Sequence, residues 1–269
     1  MTLSYGAGFM KEYVDLIASE SPAVFYVFAL LFGIAVGSFL NVCIFRIPKK
    51  ESIVVVPSHC MSCGKKLKWW ELVPVFSYIF LRGKCSGCKA KISPQYCIVE
   101  LSNGLLWALV YFVKGAQVDT ILIQLLVSAL LVIGVIDART GEIPFPIVIF
   151  IGILGAIRVI FHHESWLDLL LGPVVMFVLF TVLVFFNAMG GGDLKLCTAM
   201  GLFLGLKLCF LGLIIGCIIG SIIHVSLMIF KKVGRELKFG PYLGIGFTIS
   251  ALWGAEMWAW YIDKFFTFA

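Results

Sequence analysis

Leu169-Leu-Leu-Gly-Pro-Val-Val-Met-Phe-Val-Leu-Phe-Thr-Val-Leu-Val-Phe-Phe186 is an uncharged, mostly apolar run that ends at the stretch Asn187-Ala-Met-Gly-Gly-Gly-Asp-Leu-Lys195. The run is close to the roughly 20 residues that a membrane-spanning helix needs. A second apolar segment begins at Leu196, so Asp193 is a carboxylate placed next to hydrocarbon. Because an ionised acid is costly there, Asp193 is our first candidate for a functional residue.

The residues around Asp193 are expected to support a site. Gly190, Gly191 and Gly192 precede it, and their lack of a Cβ atom lets an extended peptide approach the backbone closely. Lys195 has two interpretations, which the sequence leaves open. It orients a carbonyl or supports the Asp193 loop, or it is only a positive charge on the cytoplasmic side.

The whole chain has the composition of a membrane protein. Among its 269 residues, hydrophobic side chains make up 61% and charged ones 13%, and the mean hydropathy is +1.05. We predict an all-α polytopic membrane protein with about eight transmembrane helices. The predicted spans lie at 22–45, 96–113, 120–136, 147–161, 169–186, 196–206, 208–230 and 241–262.

The net charge of +6 is interpreted as a topology signal, because no nucleic-acid-binding motif accompanies it. With the N-terminus outside, about three quarters of the 21 lysines and arginines fall on the cytoplasmic side, in agreement with the positive-inside rule. Asp137, Asp193 and the segment 46–95 then face the cytoplasm as well. We therefore expect the lipid bilayer, and no nucleic acid, as a partner.

Residues 46–95 form a small polar insert between the first two predicted spans, and the insert carries two matched cysteine pairs. These are Cys60-Met-Ser-Cys63 and Cys85-Ser-Gly-Cys88. Two such turns together supply the four thiolates of a tetrahedral zinc site, and four cysteine ligands leave no open position, so the predicted Zn²⁺ is structural. Flanking lysines such as Lys65 are expected to stabilise the thiolates. Disulfides or redox thiols are the alternatives, and a reducing cytoplasm disfavours disulfides.

The first span contains the motif Gly37-Ser-Phe-Leu-Asn41 near its end. Gly37 and Ser38 are expected to allow close helix packing, and Asn41 is expected to form a hydrogen bond to another helix. The residues themselves therefore favour a structural role for this motif.

Asp137 is a second acid at the end of a predicted span, and two further spans separate it from Asp193. An even number of spans returns the chain to the same side of the membrane, so the two carboxylates can meet. Two carboxylates that share one proton can activate a water and protonate a leaving amine, as in aspartic proteases. The alternative is that Asp137 only marks where a helix leaves the bilayer and that Asp193 only caps a helix.

The motifs follow one another as they do in one family. They are Gly37-Ser-Phe-Leu-Asn41, the two cysteine pairs, Asp137 followed by Ile143-Pro144, the GxGD motif at Gly190 to Asp193, and Phe239-Gly-Pro241. The chain resembles a type IV prepilin peptidase of the bifunctional bacterial kind. One position departs from the family pattern: Phe145 stands where Asp or Asn often follows the Ile-Pro pair.

The resemblance implies roles for three parts of the chain. Residues 1–45 would be an N-terminal segment with the first transmembrane helix, 46–95 the cytoplasmic zinc-binding insert, and 96–269 the membrane aspartic peptidase. Asp137 and Asp193 would remove the short basic leader from prepilins or pseudopilins at the cytoplasmic face of the bacterial inner membrane. The insert would be associated with N-methylation of the new amino terminus by S-adenosylmethionine. The S-adenosylmethionine site is left unassigned, because the sequence contains no glycine-rich nucleotide loop.

Two functions of other classes stay open. A transporter or proton relay also uses intramembrane carboxylates and glycine-broken helices, but it predicts acids near the middle of the spans. A membrane scaffold would use the zinc insert to bind a partner, and its acids would serve only as helix caps.

Overall fold

A computed structural model describes residues 22–161, 166–230 and 238–266. These residues fold into helices joined by turns and contain no extended strand, which confirms the predicted all-α class. The predicted N-terminal segment lies outside the described residues as far as residue 21. The helices are α1 (Pro22–Arg46), α2 (Phe76–Phe80), α3 (Gln95–Lys114), α4 (Val118–Thr140), α5 (Phe145–Phe161), α6 (Trp166–Phe185), α7 (Gly191–Ile229) and α8 (Gly240–Phe266).

Five of these helices are long and apolar enough to cross a membrane, namely α1, α3, α4, α6 and α7, and α5 is apolar but shorter. Large apolar side chains on α1 and α6 point outward, for example Phe32 at 61% exposure and Val174 at 59%. Extended apolar surfaces of this kind mark contact with lipid. The chain is therefore a multi-pass membrane protein, whereas the count of about eight crossings stays a prediction.

The long helix α7 is broken at Gly205, whose φ of +78° lies in the left-handed region that favours glycine. The break lies close to the predicted boundary between the segments 196–206 and 208–230. Main-chain groups that lose their helical partner inside a membrane need another one. Arg158 of α5 supplies it, since its Nη1 donates to the carbonyl oxygen of Phe203 at 2.7 Å.

The chain divides into two compact units, the first ending at Gln124 and the second beginning at Leu125, inside α4. In the first unit, α1 packs along α3. A Cβ at Gly37 would lie 2.8 Å from the Cα of Glu100, so this close approach requires glycine. The assignment of functions to 1–45, 46–95 and 96–269 stays a prediction.

Asn41 joins the same two helices by a hydrogen bond. Its Nδ2 donates to the main-chain oxygen of Tyr96 at 3.0 Å. The packing of Gly37 and this bond of Asn41 confirm the structural roles predicted for the motif at the end of the first span.

In the second unit, α7 packs against α5, α6 and α8. A Cβ at Gly201 in α7 would lie 2.6 Å from the carbonyl carbon of Gly172 in α6. Contacts between small residues let membrane helices approach one another closely. This packing fixes the position of α7, whose first turn carries Asp193, relative to the neighbouring helices.

Candidate active site and metal centre

Asp137 lies in the last turn of α4 and is only 5% exposed. Its Oδ2 accepts a hydrogen bond of 2.9 Å from the main-chain N–H of Gly240, the first residue of α8. Lys238 Nζ donates to the carbonyl oxygen of Ala138 at 2.9 Å, which fastens the segment before α8 to the end of α4. The first N–H groups of a helix have no partner within the helix, so they are suited to hold a carboxylate.

Asp193 is half-buried in the first turn of α7. Its Oδ2 accepts a hydrogen bond of 3.3 Å from the N–H of Gly190, which is the N-cap residue of this helix. Asp193 is the third residue of the helix, and its carboxylate bonds back to the N-cap residue. Asp193 is therefore not itself the N-cap. This contact holds the side chain at the start of the helix.

Asp137 and Asp193 both lie in the second unit. Their carboxyl groups lie close enough for their charges to interact. Among the described residues, neither Oδ1 atom has a hydrogen-bond partner, since the bonds to Gly240 and Gly190 both use Oδ2. Each carboxylate is thus held by a main-chain N–H through one of its two oxygens.

The three glycines before Asp193 have different surroundings. A Cβ at Gly192 would lie 3.1 Å from the Cβ of Ile143, whereas one at Gly191 would meet no atom of the described residues within 4 Å. At Gly190, the added atom would lie 3.3 Å from Asp193 Oδ2. Gly192 therefore fits the start of α7 against the Ile143-Pro144 turn, and Gly191 faces open space.

Lys195 is exposed, and its Nζ lies 5.0 Å from the centroid of the Phe145 ring. A cation over an aromatic face at this distance is attracted by the ring quadrupole. The structure records no ion pair between Lys195 and Asp193 among the described residues. Phe145, which departs from the family pattern, thus holds the lysine beside the first turn of α7.

Gly240 is a site residue that the sequence analysis did not single out. A Cβ at this position would lie 2.8 Å from Asp137 Oδ2 and 2.9 Å from its Cγ. Glycine thus allows the N–H to approach the carboxylate. The only signal in the sequence was Phe239-Gly-Pro241, in which a proline at the second helical position marks the start of a helix.

The four cysteines of the insert come together in the first unit. Their sulfur atoms all lie within 4.8 Å of one another, and Cys60 Sγ is 3.9 Å from Cys88 Sγ. Four sulfurs placed tetrahedrally at about 2.3 Å from a metal are about 3.8 Å apart. The spacing therefore fits a metal ion held by all four thiols.

The two cysteine pairs have the same local fold. In each pair, the N–H of the first cysteine bonds to the carbonyl oxygen five residues later, at 2.9 Å for both Cys60 and Cys85. In each, the residue after the second cysteine has a positive φ, +70° at Gly64 and +60° at Lys89. The matched backbones present two sulfurs each toward a common centre.

Main-chain N–H groups also point at the first sulfur of each pair. Hydrogen bonds from the N–H groups of Cys63 and Ser62 lower the pKa of Cys60 to about 6. The N–H groups at the matching positions of the second pair lower the pKa of Cys85. Because metals bind the thiolate form, this backbone arrangement favours metal binding.

Glu71 is buried and connects the two pairs. It accepts hydrogen bonds from Lys65 Nζ at 3.0 Å, from Ser86 Oγ, and from the N–H of Lys68 at 2.8 Å. The N–H of Lys68, followed by Ser86 and Lys65, lowers the pKa of Glu71 to about 2. Lys65 was predicted to stabilise thiolates; it forms an ion pair with this carboxylate, and the charges of Cys85 and Cys63 also interact with it.

Two family models match the chain one after the other. Residues 31–113 match the bacterial peptidase A24 N-terminal domain, and residues 124–225 match the type IV leader peptidase family. The first matched range contains the four cysteines. The second contains Asp137 and Asp193.

The chain is also similar, along most of its length, to proteins named prepilin leader peptidase/N-methyltransferase. It is 32% identical to the protein from Pseudomonas putida, over 88% of this chain and 94% of the relative. It is 32% identical to that of Pseudomonas aeruginosa, over 93% and 97%. It is 30% identical to that of Bacillus subtilis, over 86% and 96%. No solved structure matches the chain.

The apolar helical fold and the two family matches define the chain as a membrane enzyme. Its similarity to these relatives identifies the family. The chain belongs to the type IV leader peptidase family. The resemblance predicted from its motifs is confirmed.

Proposed function

We propose that the chain removes the leader from prepilin-like proteins and that Asp137 and Asp193 are its catalytic pair. The observation that carries this proposal is that both carboxylates lie at helix ends, within reach of each other's charge, and that each is held by a main-chain N–H. One carboxylate takes a proton from a water as the water attacks the scissile carbonyl. The other gives a proton to the leaving amine as the C–N bond breaks.

The glycine stretch supports binding of an extended substrate. Gly190 and Gly191 are exposed, and the space beside Gly191 is open. A peptide can therefore lie along this backbone next to Asp193. Prepilins and pseudopilins suit such a site by the family resemblance, since a basic leader precedes a hydrophobic helix that can remain in the bilayer.

We place the site at the cytoplasmic face of the bacterial inner membrane. Asp137 lies in the last turn of α4 and Asp193 in the first turn of α7, so both acids lie at helix ends. The excess of basic residues predicts that these ends face the cytoplasm. A transporter or proton relay is less well supported, because it needs carboxylates near the middle of the spans.

The proposed cleavage is tested with purified wild-type protein and a purified prepilin in detergent. We expect a single cut after a glycine, just before the hydrophobic helix, and mass spectrometry of both products identifies the bond. A prepilin that stays intact, in a preparation whose protein is folded and monodisperse, would contradict the proposed activity.

Gly192→Ala is expected to lower the rate of cleavage about tenfold, because its Cβ would press on Ile143 and displace the first turn of α7. Gly191→Ala is the matched control, since its Cβ meets no atom within 4 Å. The two rates are measured on the same prepilin. Equal losses in the two variants, or no loss in Gly192→Ala, would contradict this account of the glycines.

Gly240→Ala is expected to lower cleavage by about 10-fold to 100-fold, because the added Cβ would push against the carboxylate of Asp137. Gly152→Ala in α5 is the control, since a Cβ there meets open space. Cleavage rates of both variants are compared at equal protein stability. If Gly240→Ala cleaves the prepilin as fast as Gly152→Ala does, the role assigned to Gly240 is wrong.

We propose that the metal in the cysteine cluster is Zn²⁺ and that it is structural. Four thiolates suit zinc, and full coordination leaves no position for a substrate. The insert around it consists of short turns, a one-turn 3₁₀ helix at Trp69–Glu71 and the small helix α2, so it has little core of its own. Metal binding in such a segment contributes directly to its folding. A scaffold that used this insert only to bind a partner would leave the acid pair of the second unit without a role.

We further propose that the chain N-methylates the amino terminus that cleavage creates. The relatives named above carry this activity in their names, and the first family match covers the part of the chain that holds the cysteine insert. S-adenosylmethionine would be the donor, since its sulfonium methyl group passes to an amine. Methylation is detected as a mass increase of one methyl group on the processed pilin.

A further inference from the structure

The first unit contains a cavity of about 630 Å³ that borders the cysteine cluster at Cys60 and Cys85 but is far larger than one metal ion needs. The walls come from the end of α1, the start of α3 and the cysteine insert. The volume lies within the range of sites for small ligands and cofactors, about 300–1,000 Å³. Both polar and apolar groups face it, among them Asn41, Phe45, Arg46, Tyr96 and Glu71.

Arg46 is a buried cation on the cavity wall, with 9% of its surface exposed. Its Nη1 donates to the carbonyl oxygens of Ser52 at 3.1 Å and Val56 at 2.8 Å. Within the described ranges, no carboxylate forms an ion pair with it. A guanidinium has five N–H donors in a planar fork that matches a carboxylate. Arg46 therefore points to an anionic group on a ligand.

Asn41, one and a half turns earlier on α1, is 1% exposed and also lines the cavity. Its amide orientation is fixed, because Nδ2 donates to the carbonyl oxygens of Tyr96 at 3.0 Å and Gly37 at 3.4 Å. The other atom of the amide, Oδ1, is buried and has no hydrogen-bond partner among the residues that the structure describes. A buried acceptor is costly when it is left unpaired. Asn41 Oδ1 therefore indicates an N–H donor on the same ligand.

The cavity also offers an aromatic surface. The rings of Phe45 and Tyr96 stack with centroids 5.1 Å apart and an interplanar angle of 20°. Apolar side chains of the insert, such as Leu67 and Leu72, complete the wall. Aromatic and apolar walls with a few polar groups are typical of sites for ligands that contain a planar base.

We infer that this cavity binds S-adenosylmethionine, an inference that rests on the proposed methylation. The carboxylate of the methionyl part binds Arg46, and its ammonium donates to Asn41 Oδ1. The adenosine part occupies the aromatic and apolar region. A free α-amino acid group carries the anion and the donor on one carbon, which a peptide amino terminus does not. The new amino terminus of the substrate is therefore a less suitable occupant.

The test compares two ligands and three proteins by equilibrium binding, with full-length protein in detergent. The ligands are S-adenosylmethionine and decarboxylated S-adenosylmethionine, which lacks the group assigned to Arg46. Wild type is expected to prefer the carboxylated ligand about tenfold or more, as for a charge-assisted hydrogen bond. Arg46→Gln is expected to lose this preference, and Arg46→Lys to retain part of it. Arg82→Gln is the control, since Arg82 is exposed and does not line the cavity.

Zinc content and thermal unfolding show whether each variant is folded, and Arg46→Lys keeps the test decisive if Arg46→Gln is unstable. A folded Arg46 variant that still prefers S-adenosylmethionine over its decarboxylated form as strongly as wild type does would overturn the assignment of the cavity. The proposed methylation would stand in that case, provided that the wild type methylates the pilin. If the Arg46 variants bind S-adenosylmethionine normally but lose affinity for a pilin peptide, the cavity binds the methyl acceptor. That result would overturn the inference. A wild type that neither binds the donor nor methylates the pilin would overturn the proposed methyl transfer itself.

Discussion

Purified wild-type protein is expected to hold about one zinc ion per chain, and Cys60→Ser combined with Cys63→Ser is expected to hold almost none. The reason is geometric. All four sulfur atoms lie within 4.8 Å of one another, so removing one pair leaves only half of the ligands. Metal content is measured by elemental analysis after gel filtration.

The same double variant is expected to lower methylation by about tenfold or more while cleavage falls less, because loss of the metal unfolds the insert that forms part of the cavity. The acid pair lies in the other unit. Cys217→Ser is the control, since Cys217 is an exposed free thiol of α7 outside the cluster. Wild-type protein without bound metal, or equal loss of both activities, would contradict this account.

The class of fold and the metal cluster could be predicted from local patterns. Long apolar runs predict membrane helices, and two Cys-x-x-Cys turns predict a common metal whichever way the chain between them is folded. The prediction that Asp137 and Asp193 lie near each other followed from counting spans, because an even number returns the chain to one side. These predictions need no knowledge of side-chain packing.

Contacts between distant segments could not be predicted in the same way. The N–H of Gly240 holds Asp137 across 103 residues, and nothing in the local sequence indicates this pairing. Glu71 was one acid among several lysines, and only the folded insert places it between the two cysteine pairs. The three glycines before Asp193 look equivalent in the sequence, whereas their neighbours in the structure differ.

Asp137→Asn and Asp193→Asn are each expected to lower the rate of leader cleavage by about 10³-fold, within the range that general acid–base groups contribute. Each amide keeps the size of the side chain and can still accept a hydrogen bond from Gly240 or Gly190. It can no longer take a proton from water or give one to an amine. The fold should therefore persist while the chemistry is lost, which circular dichroism and initial cleavage rates together can measure.

The double variant should be no slower than either single variant, because groups that act as one unit have strongly non-additive effects. Glu142→Gln is the control. Glu142 is an exposed acid five residues after Asp137, and the proposed mechanism gives it no role. Its rate is expected to stay within about twofold of wild type, as for surface substitutions that leave the site intact.

The central claim is that two aspartates form one catalytic pair, and a single cleavage assay tests it most directly. Purified prepilin is incubated with wild type, Asp137→Asn, Asp193→Asn or Glu142→Gln, and the released leader is quantified by mass spectrometry. We predict release by wild type and Glu142→Gln, and none above background by either asparagine variant. Leader release by a folded Asp137→Asn or Asp193→Asn protein at a rate near that of wild type would contradict the claim.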